Sequence, residues 1–91
     1  MTTIFTDEQR RYAATMDPRQ RAVFKALVTF PFPLTASERA DPLLYALIRR
    51  KYAQVVRHTA DGVPIWTATD SGRALFKELW PDEWHAIFGP A

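Results

Sequence analysis

The stretch AQVVRHTADGVPIWTAT, residues 53–69, decides the fold of this 91-residue chain. Its first six residues are rich in β-branched side chains and alternate in polarity, and residues 64–69 form a second run of this kind. Asp61-Gly62 lies between the two runs, and this dipeptide is a strong signal for a tight turn between antiparallel strands. Pro64 lacks an amide donor, which places the start of the second strand at a sheet edge. The stretch therefore predicts a β-hairpin.

The sequence before the hairpin predicts helices. Asp17-Pro18 combines a capping carboxylate with a proline at the first helical position, and it opens an amphipathic helix over 18–29. Thr6 and Thr35 each begin a capping box, which predicts a helix over 7–16 and a short helix over 36–40.

The combination of a capping aspartate and a following proline, seen at Asp17-Pro18, recurs at Asp41-Pro42. Two interpretations are open at this point of the chain. Either a separate helix begins at residue 42 and runs to about 51, or Asp41-Pro42 only kinks one longer helix over 36–51.

Two more helices are predicted after the hairpin. Thr69 or Asp70 caps a helix over 71–80, and Pro81 opens a short one over 81–88 that Gly89 ends. The expected fold is mainly α with a small antiparallel β-hairpin. We expect a single domain over 1–91 whose core lies at about 18–80.

Residues 47–58, LIRRKYAQVVRH, resemble the end of a recognition helix that runs into the wing of MarR-like and PadR-like regulators. Residues 65–76, IWTATDSGRALF, are similar to the signature of their return strand, aromatic-x-Leu-Thr-x-x-Gly-Arg-x-Leu. The resemblance covers roughly residues 18–80 and implies a winged helix-turn-helix, here with extra N- and C-terminal helices. The chain departs from the families in its short helix over 36–40 and in Lys51, where they have a glycine.

The formal net charge of +2 conceals an uneven distribution. Residues 9–58 carry ten bases against three acids, a formal charge of +7, whereas residues 1–8 and 59–91 carry −2 and −3. A basic middle is typical of a surface that binds a polyanion, although an uneven solvated surface gives the same count.

The resemblance implies that helix 42–50 and the wing over 53–69 bind double-stranded DNA, as in a transcriptional regulator. The residues predicted to contact DNA are Arg39, Tyr45, Arg49, Arg50, Lys51, Arg57 and His58. Arg49 would enter the major groove, and its basic neighbours would meet phosphates. The face offers few base readers, however, and cations also occur at helix C-termini because the helix dipole favours them.

A protein-interaction module is the alternative function, such as an adaptor or an inhibitor of a nucleoprotein complex encoded by a phage or mobile element. Tyr45 and Arg49 are residue types enriched at the centres of protein interfaces. Apolar residues near the two ends of the chain either form a homodimer interface or enlarge the core of one small chain. These residues are Tyr12, Met16, Trp80, Trp84, Ile87 and Phe88. Binding to bent or single-stranded nucleic acid is a third possibility.

The composition argues against an enzyme. The chain has no cysteine, and its histidines, His58 and His85, lack partners at metal-ligand spacing. We expect no metal and no cofactor. No apolar run approaches the roughly 20 residues that cross a bilayer, and the N-terminus lacks the layout of a signal peptide, so we expect a cytoplasmic protein without a membrane partner.

Overall fold

Side-chain caps begin five of the six helices in the computed structural model, which describes residues 5–89. The elements in chain order are α1 (Asp7–Ala14), α2 (Pro18–Thr29), α3 (Ala36–Ala40), α4 (Pro42–Arg49), β1 (Ala53–His58), β2 (Pro64–Ala68), α5 (Asp70–Leu79) and α6 (Pro81–Phe88). The predicted class, mainly α with an antiparallel hairpin, is confirmed.

Asp41 separates α3 from α4, so the interpretation with two helices is correct. Its backbone is extended, and its carboxylate accepts hydrogen bonds from the amides of Leu43 at 3.0 Å and Leu44 at 3.3 Å. A residue with extended geometry cannot continue a helix, and its side chain instead satisfies amides that the first turn of α4 leaves free.

Five element ends differ from the predictions by one or two residues, including both ends of α5, which was predicted over 71–80. The helix predicted over 7–16 ends at Ala14, because Thr15 is its C-cap and its hydroxyl donates to the carbonyl oxygen of Tyr12 at 2.7 Å. The helix predicted to run to about residue 51 ends at Arg49. The second strand ends at Ala68, because Thr69 accepts a hydrogen bond from the amide of Gly72 and caps α5.

The pairing of the hairpin strands has one register shift, and a residue outside the hairpin pairs with β2 as a third strand would. β1 and β2 pair antiparallel, with Val55 opposite Trp66 and a register shift before Arg57. On the other side of β2, Phe32 forms a bridge with Trp66 through two backbone hydrogen bonds, at 2.9 and 3.0 Å. Pro31 and Pro33 keep this segment out of a helix. Along the chain, α2 is followed by the Phe32 bridge and then by α3, α4 and the hairpin.

One hydrophobic cluster holds the elements together. Phe24 of α2 and Phe76 of α5 are fully buried, and their rings meet edge to face at a centroid distance of 5.4 Å. Leu44 and Leu47 bring α4 to the same cluster. The core thus fixes the position of α4 and leaves Tyr45 and Arg49 exposed.

Gly72 brings α5 against the chain between α4 and β1. A Cβ atom at this residue would overlap the carbonyl oxygen of Tyr52 and lie 3.0 Å from its carbonyl carbon. Only glycine permits this approach.

Candidate nucleic-acid interface

Helix α4 has one buried and one exposed face. Leu44 and Leu47 are each 1% exposed, whereas Tyr45 is 49% exposed and Arg49 lies in the exposed class. Residues four apart on a helix are surface neighbours, so Tyr45 and Arg49 form one outward row. The structure therefore brings together the two residues that the sequence placed at the centre of the site.

The end of α4 is closed by a Schellman motif. The amide of Tyr52 donates to the carbonyl oxygen of Leu47 at 2.8 Å, and the amide of Lys51 donates to that of Ile48 at 3.2 Å. Lys51 takes the left-handed conformation with φ of 64°, which is the place where a glycine is usual. The motif turns the chain into β1 and leaves the Lys51 side chain exposed beside the basic end of α4.

Two arginines share a concave surface. A cavity of about 240 Å³ is lined by Ala46, Arg49 and Arg50. Guanidinium groups form charge-assisted, two-pronged hydrogen bonds with phosphate oxygens.

Arg50 is already engaged by α1. Its guanidinium lies 4.7 Å from the centroid of the Tyr12 ring and 3.9 Å from a carboxylate oxygen of Glu8. The Tyr12 hydroxyl donates to the carbonyl oxygen of Leu43 at 2.6 Å, and burial raises the pKa of Tyr12 above its ordinary value, so this donor keeps its proton. Arg50 is thus held more firmly than the prediction of a phosphate contact assumed.

Ion pairs divide the cations of the chain into two groups. Most cations of α1, α2 and α5 face a carboxylate: these are Arg10, Arg19, Arg21, Lys25 and Arg73. Within residues 5–89, the cations that make no ion pair are Arg11, Arg39, Arg49, Lys51, Arg57 and Lys77. Four of these six were predicted to contact DNA, and they lie on α3, on β1 and at the end of α4.

The wing contributes less to the candidate site than the end of α4 does. Arg57 and His58 are exposed, and Arg57 lies opposite Ile65, on the face of the hairpin away from Val55 and Trp66. The tip carries Asp61, an acid that opposes contact with phosphates. Arg57 is therefore the main cation that the hairpin offers.

The apolar residues near the two chain ends pack mostly on the core. Met16 is 9% exposed, and Trp80 lies edge to face on Phe24 at 5.9 Å and on Phe76 at 5.0 Å. Tyr12, Trp84 and Ile87 are half-buried against the same cluster, whereas Phe88 is 48% exposed. These contacts enlarge the core, as one of the two interpretations required, and a homodimer through this region stays a prediction.

Sequence reasoning did not predict the exposed apolar residues in and beside the hairpin. Phe30, Val55, Val56 and Val63 are between 37% and 57% exposed. Alternation predicted strands with one inward face, but almost all of β1 beyond Ala53 is exposed. The high share of valine in β1 was the available signal, since exposed apolar residues in a cluster mark contact surfaces.

Among the described side chains, no three histidine, cysteine or acidic residues come together as metal ligands. None of the helices in residues 5–89 has the length and apolarity needed to cross a membrane. No family model, curated protein or solved structure matches this chain.

Proposed function

We propose that this protein binds double-stranded DNA through α4 and the wing, in the manner of a small transcriptional regulator. The observation that carries the proposal is the concentration of unpaired cations around α4, while most other cations of the protein are neutralised by carboxylates. Unpaired cations release counterions from DNA when they meet phosphates, which is the main source of affinity for duplexes.

The proposed contacts follow from the outward row of α4. Arg49 reads a guanine edge in the major groove, and Tyr45 packs against a thymine methyl group. Arg39, Lys51 and Arg57 meet phosphates on either side. With a single strong base reader, we expect modest sequence discrimination and a large electrostatic contribution. The resemblance to MarR-like and PadR-like regulators supports this arrangement, and a homodimer would present two copies of α4 to successive half-sites.

Fluorescence anisotropy with a labelled random duplex of about 20 base pairs tests the proposal at low salt. Arg49→Ala should weaken binding about tenfold, which corresponds to about 1.4 kcal/mol. Lys77→Ala is the matched control, because it removes an equally unpaired cation from α5 and changes the net charge by the same amount. Equal losses in both variants, or no binding by the unchanged protein, would refute the proposal.

A protein-interaction module is the second candidate, and the exposure of Tyr45 in the middle of α4 favours it. If α4 binds a protein, Tyr45→Ala should reduce affinity for that partner more than Arg49→Ala. The order is reversed for DNA, where the guanidinium supplies both charge and hydrogen bonds.

A further inference from the structure

One side of β1 is not covered by any other strand of residues 5–89. Trp66 directs both its amide and its carbonyl to Phe32, so its pair with Val55 is of the non-hydrogen-bonded kind. The amide and carbonyl of Val55 therefore point away from β2. Thr59 and Val63 are a hydrogen-bonded pair, because the amide of Thr59 donates to the carbonyl oxygen of Val63 at 2.9 Å. The adjacent pair, His58 with Pro64, is therefore of the non-hydrogen-bonded kind, so the amide and carbonyl of His58 also point away from β2.

The two faces of this open edge differ in chemistry. Phe32, Trp66 and Val55 lie side by side on one face, and the ring of Phe30 follows at 6.3 Å from that of Phe32. Val55 is 37% exposed and Phe30 is 57% exposed. The opposite face carries Gln54 and Arg57, and β1 contains no acidic residue. A strand added here would meet an apolar surface on one face and a cation on the other.

We propose that the free edge of β1 binds an extended segment of a partner protein in which apolar and acidic residues alternate. The segment continues the sheet through backbone hydrogen bonds to Val55 and His58. Its apolar side chains pack beside Val55, and its carboxylates lie beside Arg57, since neighbouring strands place adjacent side chains on the same face. This interaction does not depend on binding of DNA by α4.

Charge complementarity decides between this occupant and a second copy of the chain. Two β1 strands paired edge to edge would bring two copies of Arg57 and of His58 into one small sheet. Two copies of the Arg57 charge on adjacent strands destabilise such pairing. An acidic strand meets no such repulsion.

NMR titration of the ¹⁵N-labelled full chain tests the proposal with two blocked peptides of about ten residues. One peptide alternates Glu with Val, and the other alternates Lys with Val. The Glu-Val peptide should shift the amide signals of residues 54–58 and bind at least about tenfold more tightly than the Lys-Val peptide. Equal affinities, or shifts confined to other elements, would overturn it. Shifts of residues 54–58 that grow with protein concentration alone would also overturn it, in favour of a second copy.

Variants locate the site. Val55→Pro removes an outward amide without removing a bond to β2, so it should abolish binding of the Glu-Val peptide. Arg57→Glu changes an exposed side chain and should reverse the preference in favour of the Lys-Val peptide. Phe88→Ser is the control, because it removes an exposed apolar side chain from a different element, α6, and should bind like the unchanged protein. Undiminished binding by Val55→Pro, or an unchanged preference in Arg57→Glu, contradicts the proposal.

Discussion

Salt dependence gives the sharpest test of the proposed DNA surface, because its magnitude follows from a count of cations. Arg39, Arg49, Lys51 and Arg57 form no ion pair within the described part of the chain. Each phosphate contact contributes about −0.9 to the slope of log affinity against log salt, so the three cations proposed to meet phosphates, Arg39, Lys51 and Arg57, predict a slope of about −2.7. Raising monovalent salt from about 50 to 200 mM should then weaken binding about 40-fold.

The single variants sharpen this prediction. Arg57→Ala should reduce the slope to about −1.8, because one of the three proposed phosphate contacts is lost. Arg21→Ala should leave the slope unchanged, because Glu83 already holds this guanidinium at 3.4 Å. Anisotropy titrations at five or more salt concentrations measure both slopes. A slope weaker than about −2, or an equal change in the two variants, would refute the assignment of these cations to the DNA surface.

The remaining predictions concern stability. Gly72→Ala should lower the free energy of unfolding, measured by urea denaturation, by about 3 kcal/mol, because the added methyl group overlaps the Tyr52 carbonyl. The control Ser71→Ala, at an exposed neighbouring position, should change this free energy by less than about 0.5 kcal/mol. Phe24→Ala should lower the free energy of unfolding by about 4 kcal/mol and Phe30→Ala should lower it little, since Phe24 is 0% exposed and Phe30 is 57% exposed. Similar melting temperatures for the two variants would contradict the assigned core. Hydrogen bonds from Gln20, then from the amides of Leu44 and Leu43, with the charge of Arg19, hold the pKa of Asp41 below its usual 3.8. A lowered pKa in the folded state stabilises the protein above pH 3.8, and this contribution disappears as the pH falls through the folded-state pKa. Acid denaturation followed by circular dichroism should therefore show a weaker pH dependence below pH 3.8 in Asp41→Asn than in the unchanged protein, and identical curves would count against the role of this carboxylate.

The elements of the fold were predictable because their signals are local. A capping residue such as Asp17 or Thr35 bonds to an amide only three residues away, so the sequence itself contains both partners. The turn at Asp61-Gly62 is local in the same sense. The third strand position was not predictable, because the prolines around Phe32 show only that the segment is extended. Its pairing with Trp66 joins residues far apart in sequence.

The candidate site was predictable as a set of cations but not as a set of free cations. Glu83 neutralises Arg21 across 62 positions of the chain, and Tyr12 covers Arg50 across 38. Such contacts depend on how α6 packs on α2 and how α1 packs on α4, which composition does not specify. The exposure of Val55 has the same origin. Alternation shows that a strand has two faces, whereas tertiary packing decides how much of either is covered.

Lys51, the left-handed residue that closes α4, has opposite effects on thermal stability and on the proposed affinity for DNA. An L-residue in this conformation costs about 1 kcal/mol, which a glycine at position 51 would avoid. The same exchange would remove one of the four unpaired cations of the proposed DNA surface. Selection for thermal stability alone should therefore drive this position toward glycine, and selection for retention on DNA should restore lysine. Lineages of this protein evolved under the two regimes would diverge first at a turn, not in the core.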